Sequence, residues 1–213
     1  MIKIFFYLST ILLLTSGIAL AQQKPYPKAK VSFADFKGLV TEVESHRAKR
    51  LIDLETFLKM SKEAGTIILD ARSDFRFERI HIKDAKHLSF TDFTQSNLSK
   101  VIPTFETRIL IYCNNNFEGN QVDFASKVAS PRRSATDTLT SQFASQSKPI
   151  MMALNIPTYI NLYGYGYKNV YELDELVNVG DPRIKFEGTT TESAKLPGIA
   201  ELVERRPGAL QQE

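Results

Sequence analysis

The sequence predicts an α/β domain built on a mostly parallel sheet. Three observations carry that prediction. Short β-rich runs alternate with stretches of helical apolar spacing. The run RILIY at residues 108–112 is apolar throughout, which suits a strand buried on both faces of a parallel sheet. The composition is that of a globular chain: 213 residues, 43% hydrophobic and 24% charged, neither disordered, collagen-like nor disulfide-rich. That length suits one domain with extensions. A net charge of +3 leaves no nucleic-acid footprint. The single cysteine, Cys113, excludes an intramolecular disulfide and any multi-cysteine zinc or iron–sulfur site. His46, His81 and His87 are too scattered for a metal-ligand motif, so neither metal nor cofactor is expected.

Residues 1–21 read as a secretory signal peptide. Lys3 precedes a nearly continuous apolar run over residues 4–14, and Ala19, Leu20 and Ala21 give a small-x-small cleavage site before Gln22. The run is short for a membrane span, which needs about 20 residues, so no membrane attachment is expected after cleavage. Export places the chain in an oxidising compartment, the periplasm or the medium, where a lone thiol is buried, protected or used.

Residues 22–46 form an N-terminal linker and helix. The polar stretch with Pro25 and Pro27 is the linker, and Phe33, Phe36, Leu39, Val40 and Val43 have helical spacing. Leu51 and Ile52 are a short extended piece. Asp53 is an N-cap for a helix carrying Leu54, Phe57, Leu58 and Met60, with Gly65 ending it. Residues 66–69 are a β-rich run ending at Asp70, residues 73–79 a short charged helix, and residues 87–90 a second strand. Asn120 is placed as the cap of a short helix reaching Ala129. Residues 130–148 lack apolar anchors and read as a flexible insertion. Residues 150–163 look helical, with Asn155, Ile156 and Pro157 marking a kink or a start, and Gly164 and Gly166 marking the end. Residues 169–173 are a last strand, and the amphipathic stretch 199–203 is a small helix in the tail.

The order of five segments resembles the rhodanese-like domain family. They are the helix over 51–60, Ile68-Leu69-Asp70-Ala71-Arg72-Ser73, the segment 77–88 with His81, Ile82 and Ala85, the strand Ile109-Leu110-Ile111-Tyr112-Cys113, and Tyr165-Gly166-Tyr167-Lys168-Asn169-Val170-Tyr171. The resemblance covers about residues 47–175. It implies a five-stranded parallel sheet with helices on both faces, spanning residues 47–178 with an insertion at about 120–149, followed by a tail over 179–213. It also implies that Cys113 is the sulfur-carrying nucleophile, taking sulfur from a small donor and passing it to a thiol acceptor.

Only the thiolate is nucleophilic. A loop of inward N–H groups leading into a helix N-terminus lowers a thiol pKa and cradles an anion. Asn114, Asn115, Asn116, Phe117, Glu118, Gly119 and Asn120 are the expected substrate-binding loop. The family places an Arg or Lys near the end of this loop, but here no basic residue falls in it and Glu118 is present. A carboxylate there opposes thiolate formation and repels an anionic donor, so a neutral or thiol-borne donor is expected. The phosphatase-like branch requires an arginine where Gly119 stands, which excludes phosphate-ester hydrolysis. Arg132 and Arg133 are candidates to supply the missing charge. Arg72 is expected to pair with a nearby carboxylate, His81 to be structural, and the tyrosines at 163, 165 and 167 to be half-buried around a glycine turn.

Three functions fit this reading. The first is a sulfurtransferase working through a Cys113 persulfide. The second is a catalytically inactive rhodanese-like module that binds a ligand or a protein partner through the altered loop and the 120–149 insertion. The third is a thiol redox sensor.

Overall fold

The structure, a computed structural model, describes residues 26–129 and 150–193. The signal peptide, Arg132 and Arg133, most of the predicted insertion, and the 199–203 helix lie outside the described residues. The chain divides into two units at residue 32. In the first, residues 26–32 hold no helix or strand. The second, from Phe33 onward, carries the domain.

Its first half runs α1 (Phe33–Ala48), β1 (Leu51–Ile52), α2 (Leu54–Met60), β2 (Thr66–Asp70), α3 (Asp74–Arg79), β3 (His81–Ile82), β4 (Lys86–His87), α4 (Gln95–Val101) and β5 (Arg108–Tyr112). There follow β6 (Phe117–Glu118), β7 (Val128–Ala129), β8 (Ile150–Met151), α5 (Asn155–Gly164), β9 (Val170–Leu173), β10 (Val177–Asn178), β11 (Phe186–Glu187) and α6 (Thr189–Ser193). The central sheet has five strands in the order β1-β9-β5-β2-β4, all parallel. In register, Ile67 faces Ile109 and Asp70 faces Tyr112.

Side chains alternate across the pleat, so β5 feeds two cores. Ile109 and Ile111 pack with Val43 of α1, Leu98 of α4, and Tyr159 and Leu162 of α5. Leu110 and Tyr112 pack on the other face with Leu54 and Phe57 of α2, Phe117 and Phe124. Both faces of β5 are therefore dry, as an apolar five-residue run requires. Truncating Leu110, which has no exposed surface, is expected to cost about 2–5 kcal/mol in lost burial and residual cavity.

Several expected elements are corrected. The Asp53 side chain caps α2 through the Thr56 N–H at 2.8 Å, as predicted. However, α2 ends at Met60, and Gly65 takes its positive φ of 75° in the turn that enters β2. The strand expected over 87–90 is β4 at Lys86–His87, followed by a 3₁₀ turn at Phe90–Asp92. No helix runs from Asn120 to Ala129. Asn120 caps a single turn through the Asp123 N–H at 3.1 Å, and the chain then extends into β7. The helix expected over 150–163 begins at Asn155, because Ile150–Met151 pairs antiparallel with β7. Helix α4 was not read from the sequence; Thr94 caps it, but only Leu98 and the adjoining Ile102 bury fully. The predicted tail is partly structured: β11 pairs antiparallel with β3.

Candidate active site at Cys113

Cys113 directly follows β5, at the carboxyl end of the middle strand, and is 1% exposed. The next residues form one 3₁₀ turn, Asn114–Asn116. Each of its asparagines ties a different element. The Asn116 Oδ1 accepts the Cys113 N–H at 2.8 Å and the Asn155 Nδ2 at 2.9 Å. Its Nδ2 donates to the Leu173 carbonyl at 2.7 Å and the Glu175 carbonyl at 3.2 Å. Asn116 thus joins the ends of β5 and β9 to the start of α5. Asn115 accepts the Lys127 N–H at 3.0 Å. Asn114 accepts from Arg72 Nη1 at 3.2 Å.

Arg72 is the buried cation behind this turn. Its Nε and Nη2 donate to the Asp70 carboxylate at 2.7–3.0 Å, and Nη2 also donates to the Ile80 carbonyl at 2.6 Å. Its guanidinium lies 4.8 Å from the centre of the Phe124 ring. The Tyr112 hydroxyl donates to Asp70 and accepts the Ile82 N–H. Burial works against the charge on Arg72, but the bond to Asp70 and the charges of Asp70, Tyr112 and Cys113 outweigh it and raise its pKa. Burial, then the charge of Asp70, pushes the Tyr112 phenol well above its ordinary value. Arg72 is therefore permanently charged, and Asp70 matches that charge within the interior.

A cavity of about 350 Å³ opens beside the turn, with Arg72, Arg76, Lys127, Ser73, Thr91 and Asn114 in its wall. Its three cations come from three separate stretches of sequence. The 114–120 loop carries no basic residue, but Arg76 of α3 and Lys127 before β7 line this cavity beside Asn114.

The expected substrate-binding loop separates into two parts. Asn114, Asn115 and Asn116 stay beside Cys113. Phe117 turns into the core against Tyr112 and Phe124. Glu118 continues as β6 beside Asn178, Gly119 turns with a φ of 88°, and Asn120 caps its own turn. Beyond the Asn114–Asn116 turn the run continues as an extended strand instead of closing round Cys113. The Cys113 N–H is spent on Asn116 Oδ1 and the Phe117 N–H on the Asn114 carbonyl, while the Asn116 N–H, bonded to the Cys113 carbonyl, also turns to the Cys113 side chain in a capping box. The expectations for Arg72 and His81 hold in the geometry, whereas of the three tyrosines expected to be half-buried only Tyr163 is, Tyr167 being buried and Tyr165 exposed. Arg72 pairs with Asp70, and His81 stacks on Phe77 at 3.8 Å while its Nδ1 lies 2.7 Å from the Phe77 carbonyl. Tyr167 is buried, and Tyr163 and Tyr165 bond to Glu42 and the Phe93 carbonyl. Arg76 and Lys127 are the site residues that sequence reasoning missed, because no local pattern links them to Cys113.

Fold and site together define a parallel α/β domain whose one cysteine closes the central strand at its carboxyl end. The family model described as Rhodanese-like domain matches residues 53–175, more than half of the chain, and the chain belongs to that family. No curated protein matches it. Among solved structures, the crystal structure of the BH2092 protein from Bacillus halodurans is similar at 15% identity, covering 78% of this chain and 98% of that one, with a TM-score of 0.39.

Proposed function

We propose that this protein is an exported, rhodanese-type sulfurtransferase that carries sulfane sulfur on Cys113. The observation that carries the reading is the placement of Cys113 at the carboxyl end of β5, directly before Asn114, which lines a cavity together with Arg76 and Lys127. Ligands of parallel α/β sheets bind at this end, and Arg76 and Lys127 in the cavity wall favour an anionic donor. Thiosulfate therefore suits the cavity better than the loop sequence alone suggested. The Cys113 thiolate attacks the outer sulfur of thiosulfate, a Cys113 persulfide forms, and sulfite leaves with the electron pair of the broken S–S bond. An acceptor thiolate then attacks the terminal sulfur and restores the Cys113 thiolate. With the thiol 1% exposed, the donor reaches it only as the covering turn shifts. The signal-like segment at residues 1–21 supports a periplasmic or secreted location.

A second reading is favoured by the buried thiol: an inactive rhodanese-like module that binds a ligand or partner. Incubating the mature protein with thiosulfate separates the two. A sulfurtransferase gains the mass of one sulfur atom, releases sulfite, and loses the added sulfur to cyanide. The Cys113→Ser variant does none of these. A wild-type thiol that takes up no sulfur and resists alkylation until the protein is unfolded overturns the sulfurtransferase reading in favour of the module.

A further inference from the structure

All four hydrogen-bonding positions of the buried Asn116 carboxamide are occupied: its oxygen by the Cys113 N–H and Asn155 Nδ2, its two hydrogens by the Leu173 and Glu175 carbonyls. Its orientation is dictated by those carbonyls, which only an amide nitrogen can face. Asn155 yields to it. With both Asn116 hydrogens spent, Asn155 must present its own Nδ2, and its buried Oδ1 is left without a partner. An orphaned buried acceptor costs free energy, and the fold bears that loss where it holds Asn116 still.

The backbone of Asn116 meets Cys113 a second time. Its N–H is bonded to the Cys113 carbonyl at 3.1 Å and turns to the Cys113 side chain in a capping box. Cys113 is thus gripped from two directions by one residue. The carboxamide holds its N–H, and the N–H of Asn116 lies on the side of its carbonyl and sulfur. Asn116 is not in the wall of the cavity that holds Arg76 and Lys127, so it acts on the sulfur without lining the donor's cavity.

We propose that Asn116 is a positioning residue for sulfur transfer: its anchored carboxamide keeps its own N–H aimed at Cys113 Sγ. The proposal rests on the sulfurtransferase reading and adds to it the group that meets charge at the sulfur. When the thiolate forms, this N–H donates to it. When an acceptor thiolate bonds to the terminal sulfur of the persulfide, the bond between that sulfur and Sγ breaks. The electron pair returns to Sγ, where the same N–H meets the developing charge. A donor held by a saturated carboxamide does not have to reorganise as that charge appears.

Iodoacetamide alkylation of Cys113, followed across pH in the mature protein, tests the assignment. In Asn116→Ala the alkylation profile is expected to move toward alkaline pH by about one unit, the order of a hydrogen bond to a charged group. Loosening of the turn alone acts in the opposite direction, because water admitted to a buried thiol favours the thiolate. Transfer of sulfur from the Cys113 persulfide to cyanide is expected to slow about tenfold in the same variant. Asn155→Ala is the comparison for a purely structural role. It removes one bond to the same oxygen and keeps those to Cys113, so it should lower stability and leave both the profile and the transfer rate unchanged. The wild type gives a readout that does not depend on either variant folding: the Asn116 amide proton resonance should shift over the pH range of the alkylation profile, and further than that of Asn115. The proposal is overturned if the Asn116→Ala profile stays or moves acid, if Asn155→Ala moves it equally, or if the Asn116 resonance does not follow the wild-type profile. A wild-type thiol that is alkylated but takes up no sulfur overturns the sulfurtransferase reading alone, and one inert to both reagents overturns both.

Discussion

Behind Cys113, Arg72 is sealed from water and held by a carboxylate, two oxygen acceptors and an aromatic face. Beneath α1, Arg50 is only partly buried and is held by a neutral histidine. The Tyr159 hydroxyl gives its hydrogen to the Val170 carbonyl at 3.1 Å, so it accepts from His46 Nδ1 at 2.9 Å. That leaves His46 Nε2 as the acceptor for Arg50 Nε at 3.2 Å. Both clusters fix an arginine, one by ion pairing in a dry interior and the other by a tautomer next to solvent. The difference teaches where charge must be matched: burial makes an uncompensated ion costly, whereas water offsets most of the loss at a rim.

The largest effect should come from breaking the dry cluster. Arg72→Met strands the Asp70 carboxylate, which has no exposed surface, and is expected to lower unfolding free energy by about 3–5 kcal/mol. Arg50→Met should cost about 1 kcal/mol or less. Urea melts of both variants check the contrast, and equal losses would erase it. Tyr112→Phe removes a donor to Asp70 and the acceptor of the Ile82 N–H; the expected loss is about 1–3 kcal/mol, with sulfur uptake retained.

The His46 cluster should respond to pH where the Arg72 cluster does not. Burial first, then Arg50, Lys168 and Lys49, lower the His46 pKa below 6.5. The unfolded chain therefore takes up the proton first. Stability is complete above about pH 6.5 and falls as the pH drops from there to the lowered folded value. A protonated His46 has no acceptor left for Arg50. Melting temperatures followed from about pH 7.5 to about pH 5 should decline, and His46→Gln should flatten the slope. An unchanged slope in that variant would assign the decline to other groups. The smallest effect is expected at the Asp181/Arg183 pair near the surface. Arg183 lowers the Asp181 pKa to about 2, yet Asp181→Asn should barely move the melting temperature, because Arg183 is exposed and solvent screens the pair.

The alternating α/β order was legible because its signals are local, whereas the count of five strands came from the family resemblance. Uniform apolarity marked β5, the Asp53 cap marked α2, and the Gly164 and Gly166 turn marked the end of α5. Helix α4 escaped because its segment, QSNLSKV, carries one deeply buried position and no apolar stripe. The helix expected after Asn120 failed for a related reason. Val122, at the core of the expected apolar face, is 71% exposed, whereas Phe124 is fully buried, so one turn suffices to deliver Phe124 to the core and tertiary packing overrides the spacing. At the site, Cys113 and the three asparagines beside it were legible from the strand end that delivers them. Glu118, Gly119 and Asn120 were grouped with them only because they are neighbours in sequence.

By itself the sequence determined the alternating α/β order, the buried middle strand, the position of Cys113 at its end and the pairing of Arg72 with Asp70. These follow from periodicity, capping and residues two apart, which act along the chain. Only the tertiary structure decided that Arg72, Arg76 and Lys127 share one cavity, that Asn116 joins β5, β9 and α5, and that Asn155 keeps an unpaired oxygen. Those facts depend on contacts between residues tens of positions apart. Such contacts form when two faces of a sheet are covered at once, and no local spacing encodes them.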